Sequence, residues 1–235
     1  LKEELGKKFE IALIGLGGEK LNLTAGVMND FGRAAARSGL GAVMGSKKLK
    51  AVAASGSQKI SVANDEALGK YVQETMRAAK NSGAPIYEMF TTFGTSGATA
   101  ASAFNGDSPV KNWAGVGEID FPNAHQISDV VLQQYEKKRD GCWHCMISCS
   151  GHLVVPDGPY KADTHRPEYE TLGAFGTMTL IDNTAAMVLV EELCGRYGLD
   201  SIAAGSVISF AMECYEKGLI TQEDTGGLEL TWGNT

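Results

Sequence analysis

Three of the five cysteines lie within one eight-residue segment, as Cys142, Cys145 and Cys149. Thiolates at this spacing on a turn can converge on one inorganic centre without the closure of a long loop. An iron–sulfur cluster takes four cysteine thiolates, often three local and one remote. A zinc site is the alternative, in which His144, Cys149 or His152 completes a pair begun by Cys142 and Cys145. Three unligated buried thiols are the remaining interpretation, and the spacing favours the cluster.

A second candidate site lies earlier in the chain. Arg33 and Arg37 are followed by Gly39, Gly41 and Gly45. A helix over 33–37 would put both guanidinium groups on one face, where they can fork onto phosphate oxygens. Nearby glycines let the backbone approach a ligand closely. The alternative interpretation is a solvated charged helix followed by an ordinary turn.

Two carboxylates follow the cysteine segment, at Glu168 and Glu170 on either side of Tyr169. A carboxylate held against apolar surface can accept or donate a proton. In a helix only one of the two would face a site, because residues i and i+2 do not share a face. The alternative role is favourable charge at a helix N-terminus.

The elements that must position these residues divide the chain into two parts. Apolar runs predict strands over 9–14 and 51–55, a turn over 16–20 and a glycine-punctuated bend over 39–45. After residue 60, capping residues and periodicity predict helices over 65–82, 128–139, 183–197 and 201–218. Gly198 is predicted to end one helix and Asp200 to begin the next. We therefore predict an α+β chain: an N-terminal strand-and-turn domain over 1–60 and a mainly helical domain over 61–235, with the boundary near 57–62.

Composition excludes several classes of protein. The net charge of −7 makes nucleic acid an unlikely partner. No apolar run approaches the ~18 residues of a membrane span. The odd, clustered cysteines argue against a disulfide framework and predict a cytoplasmic location. Because the chain starts at Leu1, it is expected to be part of a longer protein.

The motifs occur in a specific order: RAAARSGLGAVMGSKKLKAVA, CWHCMISC, PEYET and RYGLDSI, with Trp232-Gly233-Asn234 near the end. This ordered set resembles the tungsten-containing aldehyde ferredoxin oxidoreductase family across nearly the whole chain. Family members are much longer, so the chain is expected to be their middle portion. The rest would hold further cofactor contacts and the fourth cluster cysteine.

The resemblance implies specific roles for residues of this chain. A tungsten bis-pterin cofactor would be held by the Arg-Ala-x-Gly-Arg stretch, here Arg33, Ala34, Ala36 and Arg37, with Ala36 in place of the usual glycine. The Ala34 carbonyl would bind the Mg²⁺ that bridges the two pterin phosphates, a suitable ligand for a hard cation.

The remaining implied roles fall in the second part of the chain. The three clustered cysteines would bind a [4Fe-4S] cluster, and Glu170 would face the tungsten as the catalytic carboxylate. The pterin motif D-x-x-G-L-D matches at Gly198, Leu199 and Asp200, whereas Gly195 replaces the first acidic residue.

The implied reaction is oxidation of an aldehyde to its carboxylate with water, with ferredoxin as electron acceptor and the enzyme as a possible homo-oligomer. Two alternatives stay open. One is a benzoyl-CoA reductase-type tungstoenzyme subunit of the same family, and the other is a non-catalytic zinc-binding or cluster-binding module.

Overall fold

The computed structural model describes residues 1–30 and 32–235. The first part contains a four-stranded antiparallel sheet with the strand order β3-β2-β1-β4. Its strands are β1 (Glu10–Leu13), β2 (Val27–Asn29), β3 (Arg33–Ala35) and β4 (Ala51–Ala54). The predicted strands over 9–14 and 51–55 are thus confirmed, and they pair with each other as β1 and β4.

Short helices accompany this sheet: α1 (Lys2–Leu5), α2 (Leu16–Glu19) and α3 (Leu40–Ser46). The turn predicted over 16–20 is one turn of helix, and the bend predicted over 39–45 is wrong, because α3 occupies it. The glycines of α3 serve close packing rather than bending. A side-chain carbon at Gly41 would overlap the Gly26 carbonyl oxygen, and one at Gly45 would overlap the Gly18 carbonyl oxygen.

The helix predicted over 33–37 is also wrong. Arg33, Ala34 and Ala35 form β3, which pairs with β2, and a 3₁₀ turn follows at Arg37–Gly39. Ser38 within that turn has a φ of 74°, which no α-helix contains. Pairing with a neighbouring strand outweighs the helix propensity of the alanines, since propensity is a weak preference that tertiary contacts override.

The second part begins with helices. They are α4 (Asp65–Lys80), α5 (Pro85–Thr92), α6 (Thr99–Asn105), α7 (Gly117–Asp120) and α8 (Asp129–Gln133), with 3₁₀ turns at Thr95–Ala98 and Ala124–Ile127. The α4 prediction is confirmed, with Asn64 accepting a hydrogen bond from the Ala67 backbone N–H. Its apolar face is not buried in this chain, where Leu68, Val72 and Met76 are each more than 40% exposed.

A three-stranded antiparallel sheet follows, formed by β5 (Glu136–Asp140), β6 (Ser150–Val155) and β7 (Ala162–His165). The helix predicted over 128–139 is therefore wrong beyond residue 133. Four β5 residues pair with β6, so the chain needs an extended conformation there. The cysteine segment is the loop between β5 and β6.

The last elements are α9 (Tyr169–Leu172), a π-helical segment (Gly173–Thr177), α10 (Thr184–Tyr197) and α11 (Ser201–Glu216). The two predicted C-terminal helices are confirmed. The main core lies in this second part, where Ile127, Leu132, Leu153, Leu172 and Val188 are fully buried. The α+β class is confirmed, although the second part contains a sheet that the sequence did not indicate. The boundary near 57–62 remains a prediction, within a stretch of neither helix nor strand over 55–64.

Among the residues described, no helix combines the length and the apolar character that a membrane crossing requires.

Candidate functional site

The turn between α10 and α11 is joined to the first sheet by backbone hydrogen bonds. Gly198 ends α10 in the left-handed conformation, with a φ of 68°, and the Asp200 side chain caps α11 by accepting from the Ile202 backbone N–H. The Gly26 N–H donates to the Gly198 carbonyl at 2.9 Å, and the Asp200 N–H donates to the Thr24 carbonyl at 2.8 Å. The predicted caps are confirmed, and the turn lies beside the start of β2.

This arrangement brings the arginine segment to the turn. The Arg37 Nε lies 3.5 Å from Oδ2 of Asp200, which is 3% exposed. A small cavity of about 50 Å³ lies next to this pair and is lined in part by Ala34, Ala36 and Leu199. Five residues assigned to the cofactor by resemblance, from two distant segments, therefore lie at or beside the same turn.

Arg33 points to a different carboxylate from Arg37, so the predicted shared helical face does not exist. The Arg33 Nη1 lies 3.8 Å from Oε1 of Glu168. Its Nη2 is buried and has no hydrogen-bond partner among the described residues. A buried donor of this kind normally has an acceptor, because leaving it unpaired costs about 1–3 kcal/mol. Arg33 thus offers a cationic donor to an anionic group such as a phosphate.

The cysteine loop has a local geometry suited to thiolates. The Cys145 N–H donates to the Cys142 carbonyl at 2.9 Å, and His144 and Ser148 both adopt positive φ angles. Backbone N–H groups of Ser148 and Ile147 lower the pKa of Cys145, and Arg33 adds to that effect. Hydrogen bonds to sulfur and nearby positive charge both stabilise a thiolate.

Cys149 lies deeper than the other two loop cysteines. Burial raises the pKa of Cys149 most, the Glu168 carboxylate raises it further, and Arg33 lowers it. Within the described ranges, 1–30 and 32–235, no three His, Cys, Asp or Glu side chains are close enough together to hold a single metal ion. The fit to a cluster therefore rests on the chemistry of the donors, namely three thiols on one loop with N–H groups directed at sulfur.

The two remaining cysteines are in the C-terminal helices, as predicted. Burial raises the pKa of Cys194 to about 12, with Glu191 and Asp200 contributing. A thiol in such a place stays protonated and is a poor metal ligand. Cys214 is half-buried on α11.

The Glu168 carboxylate accepts one hydrogen bond from Thr95, whose hydroxyl oxygen in turn accepts one from the backbone. The Tyr169 backbone N–H donates to Oγ1 of Thr95 at 2.9 Å, and the Thr95 hydroxyl donates to Oε2 of Glu168. The single hydroxyl proton of Thr95 is donated to Oε2 of Glu168, because the hydroxyl oxygen already accepts from the backbone. The carboxylate is therefore oriented with Oε1 facing Arg33. Glu168 precedes α9 and has extended backbone angles. The sequence-based expectation that Glu168 and Glu170 point in different directions from one helix therefore does not apply.

Glu170 lies in α9 and is exposed in this chain. No hydrogen bond or ion pair of its side chain occurs among the described residues, whereas Glu168 contacts Arg33 and Thr95. The structure thus brings Glu168, rather than Glu170, together with Arg33 and Cys149. The role of Glu170 at the metal stays a prediction.

Sequence reasoning missed the segment between α5 and α6. Besides Thr95, it contains Gly94, which has a φ of 73° and touches the cysteine loop: a side-chain carbon there would overlap the Cys149 carbonyl oxygen. Glycine is required by both the backbone angle and the close approach. No local pattern in the sequence indicates this contact, because it joins residues 55 positions apart.

Comparison with known proteins identifies the family of the chain. A family model described as "Aldehyde ferredoxin oxidoreductase, N-terminal domain" matches residues 1–56, and one described as "Aldehyde ferredoxin oxidoreductase, domains 2 & 3" matches residues 70–235. Both models describe domains of one class of oxidoreductases, whose curated members with similar sequences are named as tungsten-containing. The chain is a member of the aldehyde ferredoxin oxidoreductase family, as its motifs indicated.

Similar curated proteins include tungsten-containing aldehyde ferredoxin oxidoreductases from Thermococcus kodakarensis, 35% identical, and Pyrococcus furiosus, 36% identical. Each comparison covers 100% of this chain but 38% of the relative, so the chain spans little more than a third of their length. The aliphatic sulfonate oxidoreductase WOR-like subunit of Pyrococcus furiosus is 32% identical over 94% of this chain and 35% of its own length.

A solved structure shares the fold. It is the active site complex BamBC of benzoyl coenzyme A reductase with 1,5-dienoyl-CoA, at a TM-score of 0.73 and 21% sequence identity. The similarity covers 97% of this chain and 35% of the other. At this identity the similarity concerns the fold alone.

Proposed function

We propose that the protein containing this chain oxidises an aldehyde to its carboxylate and passes the electrons to ferredoxin. The observation that carries the proposal is the position of Arg33. It lies 3.8 Å from Glu168, its charge acts on Cys145 and Cys149, and it belongs to the segment that adjoins the Gly198–Asp200 turn. The Arg33 side chain thus lies between the proposed cofactor-binding segment, the carboxylate of Glu168 and the cysteines of the proposed cluster.

The residues present fit a tungsten bis-pterin cofactor. The buried, unpartnered Nη2 of Arg33 and the exposed guanidinium of Arg37 would bind its anionic groups. Ala34, Ala36 and Leu199 offer small or apolar surface beside them, and Asp200 offers a carboxylate. The Ala34 carbonyl would bind the bridging Mg²⁺. When bound, the cofactor supplies the oxygen-transfer and two-electron chemistry.

Cys142, Cys145 and Cys149 would bind a [4Fe-4S] cluster with a fourth thiolate from elsewhere in the protein. Glu168 would accept a proton. In the balanced reaction, an aldehyde and water give a carboxylic acid, two protons and two electrons. A carboxylate whose Oε2 is held by Thr95 and whose Oε1 faces Arg33 has a fixed position from which it can take one proton.

The test is a substrate panel on the full-length protein, purified without oxygen. We expect aldehydes to reduce ferredoxin or a viologen dye, with carboxylate formed in proportion to the electrons transferred. Absence of turnover with every aldehyde, in protein that contains tungsten and iron, would contradict the proposal. We also propose a cytoplasmic location, which the five free cysteines support; the homo-oligomer stays a prediction.

A benzoyl-CoA reductase-type activity is the second candidate, because the fold is shared with BamBC at a TM-score of 0.73. The same panel should therefore include aromatic acyl-CoA thioesters. Reaction with these and not with aldehydes would favour the second candidate. Zinc without tungsten or iron would instead favour a non-catalytic module.

A further inference from the structure

Arg139 is the last basic residue before the cysteine loop, and its guanidinium joins that loop to α5. Nη1 donates to the Thr92 carbonyl at 2.9 Å, and Nη2 donates to the carbonyls of Thr91 and Ser148, both at 2.7 Å. Phe90 lies at the limit, 3.5 Å away. The carbonyls of Thr91 and Thr92 belong to the last turn of α5, where they lack partners within the helix and carry its partial negative charge, whereas the Phe90 carbonyl also accepts from the Gly94 N–H at 3.1 Å.

The contact to Ser148 fixes a particular peptide group. The Ser148 carbonyl and the Cys149 N–H belong to the same planar peptide, so holding one orients the other. That N–H belongs to Cys149, whose thiol is one of the three proposed cluster ligands. Ser148 has a φ of 49°, a conformation that a non-glycine residue adopts only when its surroundings hold it. Ser148 is held by the bond from Arg139 and by the bond from its own hydroxyl to the Cys145 carbonyl, at 3.3 Å.

The charge of Arg139 has one carboxylate partner, Glu136, which Arg139 shares with Arg166. Glu136 Oε2 is 3.9 Å from Nη1, and the same oxygen is in contact with the buried Arg166. Among the residues described, no other acidic side chain lies within ion-pair distance of Arg139.

We propose that Arg139 is a positioning residue for the iron–sulfur cluster, which orients the Cys149 ligand and raises the cluster's midpoint potential. This inference rests on the proposed function, because it requires a cluster on the cysteine loop. A fixed positive charge stabilises the reduced cluster, which carries one more negative charge than the oxidised one. Hydrogen bonding around the sulfurs and net charge are both known determinants of cluster potential.

The experiment compares three variants of the full-length enzyme with the wild type. Arg139→Gln removes the charge, Arg139→Lys keeps the charge but not the fork of donors, and Lys138→Gln is the matched control. Lys138 lies on the same strand and is exposed, so its replacement removes one positive charge without touching the loop contacts. The cluster is titrated electrochemically by its EPR signal, and iron is measured in each sample.

For Arg139→Gln we expect a lower midpoint potential, with the reduction equilibrium shifted by about tenfold, or about 59 mV for one electron. Lys138→Gln should keep the wild-type potential. Arg139→Lys should have a potential nearer the wild type and an altered EPR signal, because an ammonium group cannot reproduce the planar fork.

The same potential and EPR signal in Arg139→Gln and Lys138→Gln would overturn the proposal. If Arg139→Gln loses its iron, the Arg139→Lys variant provides the test. A changed EPR signal in Arg139→Lys supports the proposal that Arg139 orients the Cys149 ligand, and a wild-type signal and potential contradict that proposal. A wild-type protein without iron would instead contradict the proposed function, so the two failures are distinguishable.

Discussion

Replacing Glu168 by glutamine tests the proposed proton acceptor with little disturbance of the fold. The glutamine carbonyl can still accept the hydrogen bond from Thr95, so the side chain should keep its place. What is lost is the charge that faces Arg33 at 3.8 Å. Both side chains are partly exposed, at 34% and 25%, so the ion pair contributes under about 1 kcal/mol to stability. A positioned general base contributes about 10²–10⁴-fold to rate.

We therefore expect kcat for aldehyde oxidation to fall by about 10²–10⁴-fold in Glu168→Gln. Tungsten and iron contents should stay at the wild-type level. Glu170→Gln is measured in parallel, and if Glu168 is the proton acceptor it should keep more of its kcat than Glu168→Gln, because the Glu170 side chain has no hydrogen bond or ion pair among the described residues. The assay is steady-state reduction of a dye acceptor, with metal analysis of each variant. Wild-type turnover in Glu168→Gln together with a large loss in Glu170→Gln would refute this reasoning and support the assignment of Glu170 by resemblance.

Three further predictions concern binding, packing and thiol reactivity. Arg33→Ala combined with Arg37→Ala should lower the tungsten and pterin content of the purified protein, since charge-assisted hydrogen bonds contribute about 1.5–3 kcal/mol each; unchanged content would contradict this. Gly94→Ala should lower the Tm, because the added carbon would overlap the cysteine loop and because Gly94 has a positive φ. Gly69→Ala on α4 is the control, where the added carbon meets no neighbouring atom, and it should leave the Tm unchanged or raise it. Cys194 should resist alkylation at pH 8 in the folded protein, because its pKa of about 12 keeps the thiol protonated, and rapid labelling in mass spectra would contradict its burial.

Local signals in the sequence predicted local structure well. Gly198 and Asp200 are a helix end and a helix start whatever surrounds them, because the left-handed φ and the side-chain cap are properties of the turn itself. The same applies to Asn64 at the start of α4. The motifs also identified the family before the fold was known.

Predictions that depend on tertiary pairing were less successful. Arg33 lies in a strand because β2 is beside it, and residues 136–140 are extended because β6 is beside them. Neither partner can be inferred from the segment's own composition. The position of Glu168 depends on Thr95, which is 73 residues away, so no reading of the PEYET segment alone could distinguish Glu168 from Glu170.

The proposal that this chain belongs to a tungsten enzyme with an iron–sulfur cluster on the cysteine loop is tested most directly by metal analysis. The full-length protein is purified without oxygen as the wild type and as the Cys145→Ser and Cys214→Ser variants, and the metal content of each is measured. We expect tungsten and about four iron atoms per chain in the wild type. We expect loss of most iron in Cys145→Ser, whose thiol receives two backbone N–H groups, and wild-type iron in Cys214→Ser on α11. Zinc in place of iron, absence of tungsten, or equal iron loss in both variants would contradict the proposed tungsten cofactor and cluster.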